Sequence, residues 1–344
     1  MRRALLALLL FVLPLTGTAG EVKPLFASDE PLQVTIEAPL RGLARDTDPA
    51  PEYRPAKFSF VDAAGVQQSF DIGIRPRGKN RRKKEVCDHP PLRLNFRGGQ
   101  VKDTLFDNQD KLKLVVRCRR GASFEQYVLQ EYLVYRLYNL LTEHSFRVRL
   151  LDVTFIESGG KGKPRTSPAF IIEDRRHMAK RGGYKYRTPE SIQRFELDES
   201  SSTLLGVFQY FIGNTDWSML SGPDDHCCHN SVLIAEKNKE PYIPVPYDFD
   251  YSGIIDTPYA VPAKSAKVKT VRQRAYRGFC KPQPVLDKAL DRFREQKQAI
   301  YDLYNNQPGL SSGTLKKTIR YLDEFYATID EPKKLEKYIV GRCR

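Results

Sequence analysis

Apolar and polar positions alternate along residues 57–61 and again along 67–75, with the turn residues Ala64 and Gly65 between them, which predicts a pair of strands joined by a tight turn. A Pro-rich lead containing residues 46–55 precedes them. Two further strands are expected at 92–96 and 111–117, separated by a polar stretch around Gly98 and Gly99. At Ser123 the period changes. Phe124, Tyr127, Val128, Tyr132, Tyr135, Leu137, Tyr138 and Leu141 recur at helical spacing, and Ser123 with Gln126 three residues on has the form of a capping box. Strands follow at 147–156 and 169–173, linked by the Gly- and Lys-rich stretch 159–164. A core helix is expected over 202–212, stopping near Gly213. Short strands at 231–235 and 242–247 flank a polar turn at 236–240, and the last third is helical over 285–304, 314–328 and about 333–340.

This order, strands first and helices last, predicts one α+β domain with two lobes, a β-rich N-terminal part and a helical C-terminal part, over residues 21–344, with 301–344 as a helical cap. No internal repeat or Gly/Ser linker divides it. The chain has 344 residues, 40% of them hydrophobic, with 18 Tyr and 18 Phe, so a sizeable core is within reach and disorder is excluded.

Residues 1–20 are of a different character. Arg2 and Arg3 precede an apolar run over 4–13, then Pro14 and the small residues Gly17, Thr18, Ala19 and Gly20, the pattern of a signal peptide. No later window reaches the roughly 18 apolar residues of a membrane span. A periplasmic or secreted protein follows. The net charge is +14, and without residues 1–20 it is 54 Lys plus Arg against 42 Asp plus Glu, or +12.

Export makes disulfides the default reading of the six cysteines, Cys87, Cys118, Cys227, Cys228, Cys280 and Cys343. Cys87 and Cys118 flank two strand-like runs that, as a hairpin, would bring them together. The adjacent Cys227 and Cys228 beside His226 and His229 raise a zinc reading. Neighbouring thiols rarely ligate one ion in the spaced pattern of structural zinc, and no second pair stands at finger-like distance. The remaining histidines, His89, His144 and His177, are scattered. There is no Gly-x-Ser-x-Gly elbow, no phosphate loop ending in Gly-Lys, and no Gly-x-Gly-x-x-Gly after a strand, so elbow hydrolases, P-loop enzymes and Rossmann chemistry lack support.

Acids and amides concentrate in three short segments: Asn214-Thr215-Asp216-Trp217-Ser218, His229-Asn230, and Asp248-Phe249-Asp250. Asn230 stands 14 residues after Asp216, and Asp248 stands 18 after Asn230. Taken singly, each is an ordinary cap or turn. Together they offer hard oxygen ligands for Mg²⁺ or Mn²⁺, the set that phosphoryl transfer requires. If the strand before them continues, period-2 geometry puts Asp248 and Asp250 on one side.

The ordered set resembles the CotH family of atypical kinase-like proteins. The matching features are Arg75-Pro76-Arg77-Gly78, Leu92-Arg93-Leu94-Asn95-Phe96, the long helix after Ser123, Phe170-Ile171-Ile172-Glu173, Asn214-Thr215-Asp216, His229-Asn230 and Asp248-Phe249-Asp250, over about 55–300. The resemblance implies a two-lobed protein-kinase-like fold, ATP as donor and a protein Ser or Thr hydroxyl as acceptor. It implies Asp216 as the catalytic acid, Asn230 with Asp248 and Asp250 as metal ligands, and Glu173 as a partner in the nucleotide pocket. Arg75, Arg77 and Gly78 would lie near the phosphates. Asn95 replaces the lysine often found there, and Lys111 or Lys113 is the stand-in. Export sets the chain in a compartment poor in ATP.

Residues 75–84 hold seven cations and no acid. Without interleaved aromatics or a recognition helix they do not read as a nucleic-acid site. A solvated loop facing anionic lipid or acidic glycan is the expectation, and a non-catalytic envelope or adhesion module binding anionic polymers is the rival function. Lys264, Lys267, Lys269, Arg272, Arg274 and Arg277 are a second basic group, expected to frame a cleft for an anionic ligand.

Overall fold

The structure is a computed structural model and describes residues 22–160, 162–220, 227–236 and 240–344. The segment read as a signal peptide lies outside them, as do Asp224, Asp225 and His226.

The strands β1 (Leu32–Ala38), β2 (Arg54–Val61), β3 (Gln67–Pro76), β4 (Leu92–Asn95), β5 (Lys111–Val115), β6 (Val148–Glu157) and β7 (Arg165–Ile172) form one closed barrel in the order β1-β2-β3-β4-β5-β7-β6. All pairings are antiparallel except the closing one, where β1 lies parallel to β6 in the register Val34↔Val153. The β2–β3 hairpin turns at 62–66, where Asp62 accepts the amides of Ala64 and Val66 at 3.0 and 2.9 Å. Alternate residues fill the barrel: Val34, Ile36, Phe58, Phe60, Phe70, Ile72, Ile74, Leu94, Leu112, Leu114, Val153 and Ile171 are all buried. Phe96 and Phe106 stack at 5.0 Å over this core and meet Phe58 edge-on at 5.3 and 5.0 Å.

The two-lobed kinase-like architecture is therefore corrected. A kinase-type lobe needs an open sheet, whereas β1 pairs on both its edges and removes them. The strand responsible, Leu-Gln-Val-Thr-Ile-Glu-Ala, lies ahead of the Pro-rich stretch and was not read as a strand.

Against the barrel's outer face packs α2 (Ala122–Leu141), whose buried residues include Val128, Glu131, Tyr135 and Tyr138. Shorter helices α1 (Leu40–Arg45) and α3 (Arg175–Arg181) sit at strand ends. The helix α4 (Glu199–Ile212) starts at Asp198, whose side chain accepts from Ser201 N at 2.7 Å, and ends at Gly213 in the left-handed region, φ 67°. A separate sheet in the order β10-β9-β8 comprises β8 (Lys185–Arg187), β9 (Ser231–Ala235) and β10 (Ile243–Pro246). The helices α5 (Gln283–Glu295), α6 (Lys297–Asn305), α7 (Ser312–Ile329) and α8 (Pro332–Tyr338) complete a second core with α2 and α4, centred on Phe208, Phe211, Phe249, Phe293 and Phe325. The helix expected over 285–304 is thus broken at Gln296.

The capping box at Ser123 is also corrected. Gly121 caps α2 without a side-chain bond. Gln126 instead donates to Gly309 O at 2.8 Å and accepts from Ser311 N at 2.7 Å, so its amide is spent tying α2 to the loop before α7.

Three cysteine pairs stand at disulfide distance: Cys87–Cys118, Cys280–Cys343 and Cys227–Cys228. Cα separations of 4.7 and 4.8 Å in the first two suit the bond. They fit an exported protein, and no described helix is long and apolar enough to cross a membrane. The expected Cys87–Cys118 pair joins the segment before β4 to the one after β5.

Candidate functional site

Asp216 is positioned by a loop whose backbone is held from several sides. After Gly213 the Asn214 N–H donates to Gln209 O at 2.8 Å, and the buried Asn214 side chain accepts from Asp216 N at 2.9 Å. Trp217 Nε1 donates to Asn214 O at 3.0 Å, and Arg277 donates to Thr215 O. The Asp216 carboxylate is left about one-third exposed, 36%, with His229 Nε2 2.9 Å from its Oδ1. Asn230 Nδ2 donates to Asp216 O at 2.7 Å and to Asp216 Oδ2 at 3.1 Å. Asn230 has φ 50°, a conformation Asn tolerates better than most residues, and its carbonyl accepts from Tyr247 N at 3.0 Å. That bond brings the Asp216–Asn230 pair beside the Asp248 segment.

The strand before Asp248 does not continue. It ends at Pro246, and Asp248 has φ 66°. Strand alternation therefore does not align Asp248 with Asp250. Separate anchors place them: Asp248 N donates to Tyr135 Oη at 3.0 Å, while Tyr259 Oη donates to Asp250 Oδ2 at 3.1 Å, with Arg81 Nη1 3.7 Å from the same oxygen. Asp250 and Glu131 of α2 are both buried, and with Arg81 and Tyr259 they border a void of about 10 Å³, near the size of one water or bare ion. Burial, with Asp248 next, pushes the Asp250 carboxyl above its ordinary range, and burial followed by Asp250 does the same to Glu131. Burial works against the charge on Arg81, but Tyr259, Asp250, Glu131 and Asp248 outweigh it and hold the guanidinium firmly protonated.

The facing wall is basic. Cross-strand register sets Arg75 opposite Arg93 and Arg93 opposite Lys113 on the outer face of β3, β4 and β5. Lys113 Nζ lies 4.3 Å from the centre of the Tyr247 ring. Burial, helped by Arg77 and opposed by Asp248, lowers its pKa to about 8. Buried Nε atoms of Arg77 and Arg93 have no hydrogen-bond partner, and among the described residues neither Arg77, Arg93 nor Lys113 pairs with a carboxylate. Asp216, Asn230, Asp248, Asp250, Lys113 and Arg77 are thus brought into one neighbourhood.

Other expectations separate from it. Arg75 donates to Pro51 O at 2.8 Å and stacks at 4.7 Å on Tyr53, which occupies its guanidinium. Gly78, at φ 82°, forms the turn after Arg77 with open space around it. Glu173 has its own partners: its carboxylate takes Arg181 at 3.2 Å and the Arg147 amide at 3.0 Å, a buried pair at the end of β7. The basic run is not a free solvated loop either. Arg81 Nη2 donates to Val116 O at 2.6 Å and Arg82 reaches Asp46, leaving Lys79, Lys83 and Lys84 exposed. In the second basic group Arg272 and Arg274 donate to carbonyls, of Gly253 at 2.8 Å and Tyr321 at 2.5 Å, and Arg272 also borders a cavity of about 180 Å³ with Tyr127, Asp256 and Lys317.

Sequence reading missed Glu131, and it gave Arg81, Arg93 and His229, each inside a segment it singled out, no role of their own at this site. The signal for Glu131 was present: a carboxylate inside the apolar stretch Val128-Leu129-Gln130-Glu131-Tyr132-Leu133 has no reason to be there unless a partner or ligand awaits it. Among the described residues no three His, Cys, Asp or Glu side chains form a metal-ready group. Comparison with protein-family models, with curated proteins and with solved structures finds no match to this chain.

Proposed function

We propose that this cleft binds a phosphorylated nucleotide together with a divalent cation, and that it transfers the phosphoryl group to a protein Ser or Thr hydroxyl. The observation carrying the reading is that Arg77, Arg93 and Lys113 have no carboxylate partner among the described residues, while Lys113 lies within electrostatic reach of Asp248, and Arg77 of Glu131. An anionic phosphate supplies the counter-charge these cations lack, and a metal ion beside Asp248 and Asp250 adds to the single positive charge that Arg81 sets against three carboxyls. The CotH resemblance enters only as support for this chemistry, since the two-lobed fold that accompanied it does not hold.

The donor set suits a hard ion. Asp248, Asp250 and the Asn230 side-chain oxygen would hold Mg²⁺ or Mn²⁺, and the Asp250 carboxyl, pushed up by burial, is a group that a cation returns to its charged form. When bound, the ion neutralises phosphate charge. The chain's own residues do the rest. Arg77, Arg93 and Lys113 orient the phosphates from the barrel side, Tyr247 shields Lys113 from water, and Asp216 accepts the hydroxyl proton of the acceptor while Asn230 holds its carboxylate in place.

Thermal melting tests binding: ATP with Mn²⁺ at a hundred times its Kd raises stability by about 2.7 kcal/mol. Neither ATP nor another nucleoside triphosphate moving the melt sinks the reading. Transfer is tested by Asp216→Asn, which abolishes phosphate incorporation while leaving the melt and its nucleotide shift in place.

A further inference from the structure

At one end of the barrel a cavity of about 630 Å³ opens between α1, the segment after β5, the end of β6 and the starts of β4 and β7, and it shares no lining residue with the void beside Glu131 and Asp250. We propose that it is a second binding site, for an anionic amphiphile: a molecule with a phosphate or carboxylate head and an apolar chain.

The volume falls within the range of about 300–1,000 Å³ common for small-molecule sites. Its walls are of two kinds. Leu43, Leu92 and Phe155 provide apolar surface toward the barrel core, while Arg45, Arg120 and Arg165 stand exposed around the opening. Counting every charged lining residue, six cations (Arg41, Arg45, Arg117, Arg120, Lys163, Arg165) meet two acids, Asp88 and Glu157, an excess of four positive charges. Glu157 accepts the Arg41 amide at 3.0 Å, and Arg117 is held by Glu125 at 2.6 Å, so those two are committed to the rim itself. His89 adds no charge: burial, then Arg117, push its pKa down.

A one-signed rim over a low-dielectric floor concentrates anions, and the floor rewards only a ligand with an apolar part. An inorganic anion leaves the floor unused. A neutral amphiphile leaves the arginines unused. The opening is also built to keep its shape, because Cys87–Cys118 ties together the two segments that carry Asp88, His89, Arg117 and Arg120, with His89 N donating to Cys118 O and Arg119 Nε to Val86 O, both at 3.0 Å.

Calorimetric titration of the purified protein with dodecyl phosphate below its micelle concentration gives saturable one-to-one binding. Inorganic phosphate and dodecanol, tested alongside, each bind at least about tenfold more weakly, since each uses one wall. Arg45→Glu with Arg120→Glu and Arg165→Glu weakens dodecyl phosphate about tenfold or more, and the triple variant keeps the parent melting temperature and the parent ATP–Mn²⁺ response. Absence of dodecyl phosphate binding overturns the proposal. So does equal affinity for phosphate or for dodecanol, or undiminished binding by a folded triple variant.

Discussion

Replacing Glu131 by Gln isolates the electrostatic strain at the acid cluster. Glu131 is buried in α2 beside Asp250, and burial followed by that neighbour raises its pKa from 4.5 to about 8. An acid with a raised folded pKa binds its proton more tightly folded than unfolded. Its penalty is absent below pH 4.5, where both states are protonated, grows by about 1.4 kcal/mol per pH unit above it, and levels off once the folded carboxyl ionises near pH 8. At pH 7 the ceiling is therefore about 3 kcal/mol, and about 2 kcal/mol is expected after relaxation and water entry. Gln has the same shape and never ionises. Glu131→Gln should be stabilised by about 2 kcal/mol at pH 7 and unchanged at pH 4.5, within about 0.5 kcal/mol. Urea unfolding at both pH values, without added cation or nucleotide, reads this through the fluorescence of Trp217, the single tryptophan, which is buried at 5% exposure. An equal gain at both pH values, or a loss at pH 7, would refute the placement of a carboxyl that burial and Asp250 strain more than Arg81 relieves it.

Lys113→Met should likewise stabilise the free protein at pH 7, by about 2 kcal/mol, because a buried ammonium whose pKa falls from 10.5 to about 8 costs most below pH 8 and nothing above 10.5; the same variant should lose the ATP–Mn²⁺ melting shift. Arg181→Met strands the buried Glu173 carboxylate and should cost about 3–5 kcal/mol in denaturant unfolding at pH 7, whereas Arg181→Met with Glu173→Leu should recover most of that loss. Cys87→Ser with Cys118→Ser removes a crosslink spanning 31 positions and should lower unfolding free energy by about 3–4 kcal/mol, an effect that reductant should reproduce in part in the parent protein.

Much of the chain was legible from local pattern. The hairpin β2–β3, strands β4 and β5, the helix α2, and α4 stopping at Gly213 all follow from periodicity and a left-handed terminator, since those signals lie within a few residues of each other. So did the Cys87–Cys118 pair, because two neighbouring strands place their flanks together. The chemical inventory was legible too: Asp216, Asn230 and Asp248 announce themselves as oxygen donors by residue type alone.

Closure was not. Whether β1 ends a sheet or seals it depends on β6, more than a hundred residues away, and no local window contains that pairing. The same holds for the site's opposing walls. Arg93, a strand arginine like any other in sequence, becomes a cleft cation only because β3, β4 and β5 align Arg75, Arg93 and Lys113 across one face. Glu131 becomes an acid-cluster member only because α2 packs on β6 and β7 and sets it beside Asp250. Residue identity determines which charges and donors exist, and burial determines what they are worth. Burial and long-range register arise from contacts between segments distant along the chain, so only the folded arrangement decides them.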